Sequence, residues 1–323
     1  MEAEQPRLAR AAAWSYRKDV AVRIAIVTTS WPAHEGDPAG HFVRAHARAL
    51  ERGGDVVTVV APATGGAFGW PGAPARIHER PIRALDAARW VTRARTRVQK
   101  LDVDRIIAHW AVPCAWPIAT GTSIRSETGS QRLPLHVVSH GGDVRLLTRL
   151  PRPIARALVL FLSARADTWQ FVSASLLEKL LATLEPETRA RLQRVARVEA
   201  PPIEMPDVAS AVTELRRELG ARRVAVSVGR LVQSKRVDRC VEYASRSKNI
   251  DRLVVVGDGP ERARLERLAQ RLGVDASFVG TVGRPHALAW IAAADLLVVA
   301  SEAEGLSTVV REANALGTPV VCI

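Results

Sequence analysis

The chain has 323 residues, 47% of them hydrophobic and 24% charged, with a net charge of +13. That length is enough for two domains of ordinary size, and the apolar share excludes a disordered chain. No run reaches the roughly 18 apolar residues of a membrane helix; the longest candidate, 157–164, ends at Arg165.

Residues 1–21 mix acids and bases without the apolar core of a secretory signal, and read as an N-terminal extension. Residues 23–29 are an apolar strand, and a Pro/Gly loop over 31–40 leads into a helix over about 41–52, with Phe42, Ala45, Ala49 and Leu50 at helical spacing. Gly53-Gly54 ends that helix, and 56–61 is the next apolar run, so a parallel sheet begins here. Strands follow at 105–109, 135–139 and 168–173, with helices over 84–100 and 176–184. The Pro-rich segment 200–206 reads as an interdomain linker. The pattern then restarts, with strands at 224–229, 253–257, 278–280 and 296–300 and helices over 238–246 and 261–272. The reading is two tandem α/β domains, 22–200 and 223–323, joined through 201–222, with a cleft between them.

Cys114, Cys240 and Cys322 fit no metal spacing and no disulfide framework, which points to a reducing cytoplasm. The positive charge is uneven: residues 1–200 hold 29 Lys/Arg against 18 Asp/Glu, while 201–323 hold 17 against 15. A basic first half calls for an anionic partner, either a membrane surface or a phosphorylated molecule. The stretch 83–100 sets Leu85, Trp90, Val91 and Val98 among cations, as an interfacial helix or the solvated face of a packed helix would, and Arg145, Arg149, Arg152 and Arg156 extend the basic region.

Several loops at strand ends carry residues suited to chemistry. Arg230 and Lys235 sit in Gly229-Arg-Leu-Val-Gln-Ser-Lys235, between a strand and a helix, where cations and amides meet phosphate; a solvated basic loop has the same composition. Val256-Gly-Asp-Gly-Pro260 is a second glycine loop without the third glycine of a dinucleotide fingerprint. His140 in Ser139-His-Gly-Gly-Asp143 ends a strand beside two glycines, as a ligand or as a loop-satisfying histidine. Trp110 ends another strand, where it covers a ligand or packs. Glu304 and Glu312 stand eight positions apart, one in a turn and one about two turns into a helix. They serve either sugar hydroxyls or the helix macrodipole. Asp102-Val-Asp104 precedes a strand, at the wrong end for a site, and neither a Gly-x-Ser-x-Gly elbow nor a phosphate-binding Gly-x-x-x-x-Gly-Lys-Ser/Thr loop occurs.

In order and spacing, Gly229-Arg-Leu…Lys235, Val256-Gly-Asp-Gly-Pro260, Phe278-Val-Gly280, Ala294-Asp295 and Glu304-Gly…Glu312-Ala…Gly317-Thr-Pro-Val-Val321 resemble glycosyltransferase family 4, the retaining sugar-nucleotide transferases of GT-B fold. The resemblance implies an α/β protein of two Rossmann-like, doubly wound parallel-sheet domains facing a cleft. It implies Arg230 and Lys235 on the donor diphosphate, Glu312 on the ribose, and Glu304 on the transferred sugar with His140 beside it. Gly40, Gly257, Gly280, Leu306 and Ser307 belong to the implied donor site, and Trp110 and Asp143 to the acceptor side. Many relatives carry Gly-Gly where this chain has Ala39-Gly40.

The family mechanism is front-face attack within an ion pair, with no protein nucleophile, no metal and no cofactor beyond the nucleotide sugar. The expected partners are that donor, a glycan, lipid-linked or small-molecule acceptor, and an anionic membrane surface at the inner face of the cell membrane. Nucleic acid is set aside, because aromatics are 5% and no recognition motif occurs. Relatives continue past the Val320-Val321 strand, so the domain ending at Ile323 is expected to be incomplete. The alternative is a catalytically silent nucleotide-sugar-binding or interaction protein.

Overall fold

The computed structural model describes residues 21–34, 37, 40–63, 68, 76–77, 79–120, 132–301 and 306–323. Glu304, Ala39 and residues 1–20 of the extension lie outside the described residues.

The first sheet is built from β1 (Arg23–Val27), β2 (Val56–Val60), β3 (Arg105–His109), β4 (Leu135–Ser139), β5 (Thr168–Phe171) and β6 (Ala196–Val198). All pairings are parallel, in the order β2-β1-β3-β4-β5-β6. Its helices are α1 (His41–Arg52), α2 (Ala84–Gln99), the short α3 (Trp116–Ala119), α4 (Gly142–Arg149), α5 (Arg152–Arg165), α6 (Ala174–Leu181) and α7 (Pro186–Val195). The central strands are covered on both faces, which is why their sequences run apolar without alternation; Ile24, Ala25, Ile26 and Val27 are all buried.

The second sheet holds β7 (Val224–Val228), β8 (Arg252–Val256), β9 (Ala276–Gly280), β10 (Leu296–Val299) and β11 (Val320–Cys322), parallel in the order β11-β10-β7-β8-β9. Alternate residues serve opposite faces. Val224, Val226, Val254 and Val256 pack toward α8 (Ala209–Leu219), α11 (Arg284–Ala293) and α12 (Thr308–Leu316). Ala225, Leu253 and Val255 pack toward α9 (Val237–Arg246) and α10 (Arg262–Arg271).

The strands expected from the sequence are present, with ends shifted by a residue or two. The sequence reading did not assign α3, α4, α5, α7, β6, α8 or α11. The longest apolar run belongs to α5, which opens on Pro153 and buries Ala155, Val159 and Leu162 along one side. Much of α8 is polar, and it joins the second core through Leu215 and Leu219. Asp104 lies at the amino end of β3 and accepts from the Arg23 amide and guanidinium at 2.8–3.1 Å, so that pair staples β1 to β3 away from the cleft.

In each sheet the strand order reverses once, between β1 and β3 and between β7 and β10. Open α/β sheets bind ligands at the carboxyl edge of such a reversal. The linker lies beside both domains: Arg48 of α1 donates to Glu204 Oε1 at 2.8 Å, and Arg311 of α12 to the Pro201 carbonyl at 2.7 Å.

Trp169 is fully buried in β5, stacks on Phe171 at 5.6 Å and donates its indole N–H to Ser139 Oγ at 2.9 Å. Trp169→Ala is expected to destabilise the first domain by about 3–5 kcal/mol, read as a lowered urea midpoint.

Candidate functional site

In the first domain the β1 loop ends at Gly40, where α1 begins. Gly40 has φ 70°, and a Cβ there would lie 2.4 Å from the Ser30 carbonyl oxygen, so only glycine lets the loop close this tightly. No side chain caps α1 at Gly40, and the start of a helix favours an anion.

At the end of β3, Trp110 takes φ 74°, an unfavourable conformation for a bulky residue. Asp143 braces that turn. Its carboxylate is buried and accepts from the Ala111 amide at 2.8 Å, Ser139 Oγ at 2.7 Å and the Gly141 amide at 3.2 Å. Burial pushes the Asp143 carboxyl up, against those hydrogen bonds. The group placed on the acceptor side by resemblance is thus taken up by the fold. It reaches the cleft through Trp110, whose ring lies 5.1 Å from that of His140 and 5.9 Å from that of Phe42.

His140 follows β4 and is half-buried. Its Nε2 lies 2.8 Å from His109 Nδ1, and His109 Nε2 lies 3.2 Å from His46 Nδ1 on α1. Burial lowers all three, His140 to about 3, His46 to about 4 and His109 well below the usual imidazole range, so the rings are neutral at pH 7. The sequence reading named His140 alone. The available signal for His46 was its position four residues after Phe42, which puts both on one face of α1.

Across the cleft, Arg230 and Lys235 occupy the loop after β7. That loop is supported from behind by glycines. A Cβ on Gly257 would lie 1.9 Å from the Gly229 carbonyl oxygen, and one on Gly259 would lie 2.4 Å from that of Leu231. The Gly257 amide donates in turn to the Gly280 carbonyl at 2.8 Å. Gly257 and Gly280 therefore form a backing layer for the cation loop. A small cavity at the β7/β10 reversal is lined by Ser227, Gly229, Lys235, Ser301 and Ser307, with Leu306 packed against the first-domain core. Arg230 is held below the usual guanidinium range, first by burial and then by Arg145 of α4 in the opposite domain. Arg145 was read from sequence only as part of a basic region.

Glu312 is 5% exposed on α12. Its Oε1 accepts from Arg284 Nη2 at 2.8 Å and Nε at 3.2 Å, and lies 3.7 Å from Nε2 of His41, the first residue of α1. Arg284 Nη2 also donates to the Glu204 carbonyl at 2.5 Å. Arg230 and Lys235 thus follow β7, His140 follows β4, and Glu312 lies on α12 against the first residue of α1.

Solved structures share this fold. Anabaena HepE in complex with UDP and glucose aligns with 93% of this chain and 80% of its own at a TM-score of 0.60 and 18% identity. Sucrose-phosphate synthase from Thermosynechococcus elongatus aligns with 93% and 81%, at 0.60 and 18%. The architecture is the two-domain GT-B fold. Residues 213–323 match the family Glycosyl transferases group 1.

Among curated proteins, a GDP-mannose-dependent alpha-mannosyltransferase of Corynebacterium glutamicum is 35% identical over 102 residues, 32% of this chain and 23% of that protein. The GDP-mannose-dependent alpha-(1-6)-phosphatidylinositol monomannoside mannosyltransferase of Mycolicibacterium smegmatis is 27% identical over 92% of this chain and 79% of its own length. The chain spans about a quarter of the length of the first curated relatives it matches.

His46, His109, His136 and His140 all bind protons less readily in the fold than free. Unfolding below the free imidazole value, about 6.5, therefore takes up protons, and stability falls as the pH drops from there toward 4. Each ring contributes up to about 1.4 kcal/mol per pH unit. Urea midpoints are expected to decline between pH 7 and pH 5, and a flat profile would show that the rings are not held neutral.

Proposed function

We propose that the chain transfers a sugar from a nucleotide-diphosphate-sugar donor to an acceptor hydroxyl, with retention at the anomeric carbon. The observation that carries this reading is the cavity at the reversal that Lys235 lines, beside the loop of Arg230, whose guanidinium Arg145 of the opposite domain acts on. A diphosphate is the group that such cations suit. Glu312, fixed through one oxygen by Arg284, keeps the other for ribose hydroxyls. Glu304 and His140 serve the transferred sugar, with Leu306 and Ser307 beside the donor and Trp110 on the acceptor side.

In the proposed step the acceptor oxygen attacks the anomeric carbon on the face the diphosphate leaves. The carbon–phosphate-oxygen bond breaks, and the acceptor's proton passes to the departing phosphate oxygen. Arg230 and Lys235 stabilise the charge that develops on that oxygen. Attack and departure on one face account for retention without a protein nucleophile.

The acceptor is a glycan, a lipid-linked intermediate or a small molecule. Exposed Arg93, Arg97 and Lys100 on and after α2, and exposed Arg149 and Arg152 on α4 and α5, give an anionic membrane surface a place to dock. No helix among the described residues is long and apolar enough to cross a membrane.

A thermal-shift panel of UDP-, GDP- and ADP-sugars identifies the donor, and transfer or donor hydrolysis is then followed with the donor that binds. Lys235→Ala and Arg230→Ala are each expected to lower kcat by about 100- to 1,000-fold with an unchanged urea midpoint. Near-native turnover in either variant would overturn the assignment, and donor binding without turnover in the parent protein would favour a silent binding protein. Anionic vesicles are expected to carry the protein in flotation at low salt and release it at high salt; indifference to salt and lipid charge would leave a soluble acceptor.

A further inference from the structure

The three imidazoles form a continuous chain from the cleft into the first domain. His109, at its centre, is fully buried, and its ring is nearly parallel to that of His140, at 11°. The rings bond to one another instead of converging on a point, and no group of three or more His, Cys, Asp or Glu among the described residues is placed to hold a metal ion. Among the described residues no carboxylate hydrogen-bonds to any of the three. The other ionisable groups of this layer are His136 on β4 and Arg105 on β3, and the first acts on His109 in the direction of the neutral ring.

A neutral imidazole has one N–H and one bare nitrogen. With all three rings neutral, each internal bond needs one donor and one acceptor. Only two proton arrangements satisfy both bonds. In one, His140 carries its proton on Nδ1 and His46 presents a bare Nε2. In the other, His140 Nδ1 is bare and the proton sits on His46 Nε2. A change at one end therefore requires a change at the other, two rings away. Packing already limits the orientation of His140, with Phe42 at 4.7 Å and Trp110 at 5.1 Å between ring centroids. Its Nδ1 makes no hydrogen bond among the described residues.

We propose that His46 and His109 are positioning residues for His140: the chain holds that ring in one tautomer and one orientation, so that Nδ1 meets a hydroxyl of the donor sugar as a fixed partner. The role toward the sugar rests on the transferase reading above, whereas the coupling of the three rings does not.

Nitrogen-15 NMR of histidine-labelled protein separates the two, because ring nitrogen shifts distinguish protonated from bare nitrogens. Three neutral rings with one defined tautomer each are expected near pH 6.5, the free imidazole value. An imidazolium at any of the three positions there would overturn the proposal, and this titration needs no variant. His46→Leu removes the distal partner, and is expected to give His109 and His140 averaged tautomer shifts. His46→Asn, whose amide can donate or accept where Nδ1 stood, is expected to restore defined ones. Unchanged His140 shifts in His46→Leu would also overturn it.

In activity, His46→Leu is expected to lower kcat by about ten-fold, the order that one oriented hydrogen bond supplies, with the KM for the nucleotide sugar within about two-fold. His46→Asn should recover most of that loss, and a purely steric role would leave both variants equally impaired. Coupled shifts in a protein that transfers no sugar would support the ring coupling while overturning the transferase reading.

Discussion

Arg145 and Arg230 come from different domains and lie near enough for one to depress the other's affinity for its proton. Like charges in a partly buried place repel more strongly than in water, because the local dielectric is lower. An anion beside them relieves that repulsion. The other parts of the site take their meaning from this spot. The glycine layer behind the loop sets where Arg230 sits, and the reversal between β7 and β10 sets where the loop leaves the sheet. Glu312 lies on α12, whose Val309 lines the same cavity, and Arg284 holds its carboxylate.

The fold was largely legible because parallel strands buried on both faces leave unbroken apolar runs, as at 24–27 and 253–256, each bounded by a turn signal. The elements that were missed had weaker patterns. Few apolar side chains of α8 reach the core, and β6 exposes two of its three residues, so neither shows a clear period. The apolar run in α5 was visible, but its length fitted several descriptions until Pro153 was seen to open a helix.

For the site, the residues that carry charge at strand ends were readable, since loop position follows from the strand pattern. What was not readable was pairing. His46 meets His109 across 63 positions, and Arg284 meets Glu312 across 28. Spacing within one element says nothing about such contacts. Asp143 shows the complementary lesson. Its place in the chain lies beside the cleft, yet three nearby donors turn its carboxylate inward, and its work is to hold the Trp110 turn. Gly257 and Gly280 likewise act on the ligand loop through its backbone support.

The Arg284 guanidinium grips two things at once, the Glu312 carboxylate and the Glu204 carbonyl in the segment joining the domains. Swinging the lobes apart around that segment strains the second grip, and losing it loosens the first. The Glu312 carboxylate and the segment joining the domains are therefore tied through one side chain.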